Sequence, residues 1–227
     1  MRLRRRVMLD RRGQGRQDRP MRAPGTEASL IFIPDPAEPD RALELEWLET
    51  DGLGGFASST VALANTRSYH AVFAPAVRPP LGRMVLWARS HERLMLDGAE
   101  VALDAHVTPA GRVHPRGFDL LERFEPRPWP RWTFALGNGR LLREQFLVHG
   151  AGDAILAYSW SGSAPVALGL RLLLAFRDHH DPGSREEAAG TVLRTREGRV
   201  GFRLRGESPT RFVESAGCGF LEDPLWV

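Results

Sequence analysis

The chain has one cysteine, Cys218, and not one lysine: all 31 basic residues are arginine. A lone cysteine cannot close an internal disulfide, and with no Cys-x-x-Cys pair there is no thiolate set for zinc and no dithiol redox couple. The expected compartment is therefore a reducing one, the cytoplasm. Basic charge carried by arginine alone reads as a compositional bias of the source rather than a surface selected for a polyanion. Long hydrophobic runs are also missing. The most apolar stretch, 166–176, is broken by Arg171 and falls well short of the roughly 20 residues of a membrane helix. No membrane partner is expected, and no secretory h-region is present.

What is present is the composition of a globular protein: 227 residues, 42% hydrophobic and 26% charged. That length and content fit one large domain with a sizeable core. The net charge of +3 is unevenly spread, since residues 1–22 hold nine arginines against Asp10 and Asp18. This segment lacks apolar periodicity, so residues 1–28 read as a basic disordered extension and 29–227 as the folded domain. Such an arm can hold phosphates without sequence preference. A nucleic-acid partner is nevertheless the weakest reading, because the arginines follow the overall bias.

From Ser29 onward, short stretches of alternating apolar and polar residues are separated by turn residues, the pattern of half-buried antiparallel strands. Leu43, Leu45 and Trp47 share one face. Leu168, Leu170, Leu172 and Leu174 share another, and Leu173 opposite them predicts a central strand covered on both sides. Asp97-Gly98 and Asn138-Gly139 predict two hairpins, one joining Val85–Leu96 to Glu100–Leu103, the other Trp132–Leu136 to Arg140–Val148. Glu197-Gly198 predicts a third. Pro75–Pro80 and Pro126–Pro130 read as loops, since proline lacks the ladder donor. Long helices are absent. About ten strands at this spacing predict an all-β fold, a large antiparallel β-sandwich.

The run EWLETDGLGGFASSTVALANTRSYHAVFAPAVRPPLGR, Glu46 to Arg83, resembles the N-terminal domain of the bacterial and archaeal type of glycogen debranching enzyme, an amylo-α-1,6-glucosidase. The likeness lies in Trp47, in Gly52, Gly54 and Gly55, in Asn65-Thr66-Arg67-x-Tyr69-His70, and in Pro79-Pro80-x-x-Arg83. Asp51 replaces the usual Asn, and Phe56 the usual Tyr. His114-Pro-x-Gly-Phe and Arg177-Asp178-His179-His180 resemble two further family segments, with His179 in place of Tyr. The resemblance runs from about Leu43 to His180 and fades beyond.

The resemblance implies a β-supersandwich that packs on an α/α toroid, with the reactive acid and base on the toroid and a branched α-glucan as substrate. These 227 residues do not contain that toroid. The expected role is a stand-alone or truncated N-terminal domain without catalysis of its own; an independent glucan-binding module is the alternative. The expected cleft residues are Asn65, Thr66, Arg67, His70, Arg177, Asp178 and His180, which offer planar donors and acceptors to sugar hydroxyls or to the second domain. Turn formation by Asn65-Thr66 and a capping ion pair at Arg177-Asp178 are the plainer readings. Trp129 and Trp132, read as lying in the second proline-rich loop, are candidates for stacking on sugar rings. Asp51 and Asp178 are the carboxylates available as an acid and base pair. No cofactor is implied, the three glycines read as a tight bend, and the His179-His180 cluster lacks ligand spacing for a metal.

Overall fold

The computed structural model describes residues 31–181 and the strand segments 192–196, 199–203 and 211–214. A one-turn helix, α1 (Arg41–Glu44), precedes β1 (Glu46–Thr50), β2 (Phe56–Thr60), β3 (Ala71–Ala74), β4 (Ala76–Arg78), the long β5 (Leu81–Leu96) and β6 (Ala99–Ala102). Next come a small hairpin, β7 (Ala105–Val107) and β8 (Val113–Arg116), a 3-10 turn over Gly117–Leu120, then β9 (Leu121–Glu125), β10 (Arg131–Leu136), β11 (Gly139–Val148), β12 (Asp153–Trp160) and β13 (Ala167–Asp178). Strands β14 (Val192–Arg196), β15 (Arg199–Arg203) and β16 (Arg211–Glu214) form a sheet of their own.

The protein is an all-β sandwich. A seven-stranded sheet runs β1-β2-β3-β5-β13, with β4 and β6 also paired to β5, and a four-stranded sheet runs β12-β11-β10-β9. Every pairing is antiparallel. The core lies between these two sheets. Trp47 of β1 meets Trp132 of β10 edge to face, ring centroids 5.4 Å apart, and Phe124 of β9 lies 5.0 Å from Trp132. Leu94, Leu103, Phe134, Leu141 and Leu147 fill the space around them. Burying each such side chain contributes about 1.5–3 kcal/mol, so this layer dominates the stability of the pair of sheets.

The Asp97-Gly98 hairpin forms as expected, with φ of +50° and +80° and Leu96 opposite Ala99. The second hairpin turns one residue earlier than expected. Leu136 pairs with Gly139, and Gly137 carries the positive φ, +55°, the pattern of a turn with glycine at its first central position. Gly139 is already in the strand, where a Cβ would run into the Trp160 ring. For the third hairpin, Arg196 pairs with Arg199, and the turn residues 197–198 lie outside the described residues, as does the arm 1–28.

Three other expectations are corrected. Leu43 sits in α1, so the strand begins only at Glu46. The Pro75–Pro80 stretch is not all loop: its prolines bracket β4, whose Ala76 and Arg78 pair with Arg83 and Leu81, and Pro75, which has no donor to offer, contributes only its carbonyl, accepting from the Met84 N–H at 3.1 Å. Among the described residues β13 pairs with β5 alone, making it an edge rather than a central strand, and Leu170 is 41% exposed. The β7–β8 hairpin ends in an exposed tip, Pro109 to Arg112, with nothing within 4 Å of the position a Gly111 Cβ would take.

Candidate functional site

Two irregularities where β5 meets β13 create the site. The register passes from Leu173 opposite Arg89 to Leu174 opposite Trp87, skipping Ala88, and then to Arg177 opposite Val85. The second step opposes Ala175 and Phe176 to one residue, and Phe176 takes a φ of +54°. Bulges of this kind bend a strand and redirect its side chains. The passed-over Ala88 carbonyl accepts from Asn65 Nδ2 at 2.8 Å, and the bend carries Arg177 to His180 over the loop 65–70.

The two family-like segments thus meet on one rim. Arg177 Nη2 donates to the Ser68 carbonyl at 2.6 Å, and its Nη1 donates to the carbonyls of Asp181 and Asp178 at 2.7 and 3.2 Å. The Tyr69 hydroxyl lies 3.2 Å from His180 Nδ1. The rings of His179 and His180 are 3.8 Å apart, and Tyr69 stands 5.9 and 5.5 Å from them. His179 N–H donates to the Arg83 carbonyl, tying the segment back to β5. The His180 N–H donates to Asp178 Oδ1 and holds that carboxylate below its usual range.

The roles of these residues differ. Asn65 spends its side chain inside the domain, donating to the carbonyls of His70 and Ala88 and accepting from Ser59 Oγ. His70 is only 1% exposed. Its Nδ1 accepts from the Thr66 N–H at 3.0 Å, so the ring is neutral with its proton on Nε2, which faces Glu46 Oε1 at 3.5 Å. Burial lowers the His70 pKa against the opposing pull of Glu46. Arg67, exposed, donates to the same Glu46 oxygen at 2.5 Å. Asn65, His70 and Arg177 therefore shape the rim, and Thr66, Arg67, Tyr69, Asp178 and His180 are the side chains it presents outward. Tyr69 and His179 belong to it although the expected set omitted them.

The two tryptophans part company. Trp132 is fully buried, with its Nε1 donating to the Val61 carbonyl at 2.8 Å, so the stacking expectation is overturned for it: strand β10 turns it into the core. Trp129 is half-buried in the proline-rich loop, donates to Glu144 Oε1 at 2.9 Å and rests 5.2 Å from Phe146 on the outer face of the four-stranded sheet.

Asp51 does not face Asp178 across a cleft. It is 1% exposed, and its Oδ1 accepts from the N–H groups of Leu53 and Gly55, closing the glycine bend. Gly54 there has a φ of +97°, and a Cβ would lie 2.7 Å from the Pro80 carbonyl oxygen. This is a structural turn, not a phosphate cradle. A wide dent beside α1 is lined by Glu38, Asp40 and Glu44, but these are exposed and paired with Arg41 and Arg116. Among the described residues no group of three or more His, Cys, Asp or Glu is placed to hold a metal ion. No helix among them is long and apolar enough to cross a membrane.

An ionic cluster between the sheets escaped the sequence reading. Arg143 of β11 is 2% exposed and donates from Nε to both oxygens of Glu92 on β5, at 3.0 and 3.1 Å. Its Nη2 donates to Gln145, whose Nε2 donates to the Val72 carbonyl, and its guanidinium lies 4.4 Å over the Trp132 ring. Burial pushes the Glu92 carboxyl up against the pull of Arg143 and drives the Tyr158 hydroxyl well above its ordinary value. The available signal was the alternation of Leu141, Arg143, Gln145 and Leu147, which puts two polar residues on the inward face of β11.

Fold and rim define a class: an all-β sandwich domain that offers an exposed polar and aromatic edge. Over residues 45–227 the chain matches the family described as glycogen debranching enzyme N terminal, and it belongs to that family. No curated protein and no solved structure matched the chain.

Proposed function

We propose that the chain acts as the non-catalytic β domain of a glycogen-debranching α-1,6-glucosidase, packing its rim on the catalytic α/α toroid and completing the cleft for a branched α-glucan. The observation that carries this reading is the convergence of Asn65–His70 and Arg177–His180 on one exposed edge in a chain that belongs to the debranching N-terminal family. Hydrolysis needs an acid and a second carboxylate facing each other across a gap. The buried, turn-bound Asp51 and the exposed Asp178 do not supply them. The reactive pair then belongs to the partner, and Thr66, Arg67, Tyr69, Asp178 and His180 are the groups that meet partner and sugar.

The test is to produce the chain with and without a toroid polypeptide and follow glucose release from a branched limit dextrin. Activity is expected only in the mixture. Glucose released by the chain alone would overturn the proposal. Half-exposed Trp129 favours a second reading, a free-standing glucan-binding module. Under that reading glycogen retards the isolated chain in an affinity gel, and Trp129→Ala abolishes the retardation.

A further inference from the structure

Between the two large sheets lies a cavity of about 10 Å³, whose wall includes Ser59, Asn65, Ser90, Glu92, Arg143 and Gln145. Ligand pockets run to about 300 Å³ and more, so no sugar or cofactor enters it. Its size is about that of one water molecule. The wall is mixed, with Trp47, Leu63, Ala71 and Val72 beside these polar residues; polar partners are the condition for hydration, and apolar cavities of larger volume stay dry.

Two atoms in residues lining this cavity point to the occupant. Arg143 Nη1 and Ser90 Oγ are buried and make no hydrogen bond to the protein, in residues only 2% and 5% exposed. The rest of the arginine is committed: Nε to Glu92 and Nη2 to Gln145. A buried donor left unsatisfied costs about 1–3 kcal/mol, and more when it is charged. Rotating the guanidinium to serve Nη1 would break the contacts already made. A water molecule relieves both groups at once, accepting from Nη1 and exchanging a hydrogen bond with Ser90, and it still has a proton for a carboxylate or amide oxygen in the wall.

We infer that this cavity is a built site for one internal water, and that the water is the third member of the Glu92–Arg143 pair. It explains how a guanidinium can be almost completely buried although its Nη1 makes no hydrogen bond to the protein; the Tyr158 hydroxyl, close to both Arg143 and Glu92 and itself unpartnered, is the protein group that competes with the water for it. It also lies under the rim, because Asn65 lines the same cavity and holds the carbonyls of His70 and Ala88. The water thus joins the interior ion pair to the loop that presents Arg67 and Tyr69. This holds whether or not the rim meets a glucan.

The test is made on the full chain. A high-resolution crystal structure is expected to show one density peak within hydrogen-bond distance of both Arg143 Nη1 and Ser90 Oγ. Water-selective nuclear Overhauser spectra are expected to show a long-lived water beside the Gln145 and Asn65 side-chain amides. Ser90→Val puts a methyl group where the hydroxyl was; it should remove that signal and shift the Asn65 amide. A dry cavity, or Nη1 turned onto a protein acceptor, overturns the inference. So does an unchanged long-lived water in the valine variant. Should that variant not fold, the wild-type density and spectra decide the matter alone.

Discussion

The Tyr69 hydroxyl stands 3.2 Å from Nδ1 of His180, a residue 111 positions away in the chain. Neither segment makes the rim alone. The loop is held from beneath by Asn65 and the neutral His70, and from the side by the Arg177 guanidinium on the Ser68 carbonyl.

Arg177→Ala is expected to loosen the rim without unfolding the domain. Hydrogen bonds from a charged donor contribute about 1.5–3 kcal/mol in favourable cases, and partial exposure brings this one to about 1 kcal/mol. Hydrogen exchange should speed up at the amides of Thr66 to His70 while the β10 and β11 amides stay protected. Unchanged exchange in the loop would remove Arg177 from the positioning role.

Trp132→Ala and Trp129→Ala should separate cleanly. The first empties the centre of the core and breaks the bond to the Val61 carbonyl, costing about 3–5 kcal/mol in a denaturant titration. The second removes a half-buried ring and should cost well under half of that. Equal losses would contradict the burial of the two rings.

The Glu92–Arg143 pair gives an asymmetric prediction. Removing one partner, as in Glu92→Leu, strands a buried charge and should cost about 3–5 kcal/mol. The double variant Glu92→Leu with Arg143→Met should recover much of that loss, because it strands nothing. Additive losses in thermal or chemical unfolding would show that the two side chains are not coupled.

His70 predicts a pH dependence. Its pKa is lower in the folded state, so between the folded and unfolded values the unfolded chain binds more protons. The histidine's contribution is complete above the ordinary value of about 6.5 and is lost as pH falls below it, with a slope of at most about 1.4 kcal/mol per pH unit. His70→Gln should flatten that part of the stability profile between pH 7 and 5. An unchanged slope would place the titration elsewhere.

Much of the fold was legible because it rests on local signals. Asp97-Gly98 specifies its turn through the positive φ that both residues tolerate, and Asn138-Gly139 marked the second hairpin to within one residue. Non-local effects were not legible. The Leu168 to Leu174 alternation reads the same for an edge strand as for a central one, since only the neighbours decide. Trp132 borders a proline-rich loop in sequence, yet the next strand begins at Arg131 and turns the ring inward. The rim residues stood out as motifs, but their meeting depends on two register shifts between β5 and β13 that no single segment encodes. Gly117 in the His114 motif has its reason only in three dimensions, where a Cβ would strike the Leu103 backbone.

The exposed tip of the β7–β8 hairpin has a practical use. With open space around Gly111 and the neighbours Pro109 to Arg112 turned to solvent, it is a natural point for grafting an epitope or a fluorescent reporter. A probe there would follow the proposed assembly with a catalytic domain, since nothing lies within 4 Å of the position a Gly111 Cβ would take.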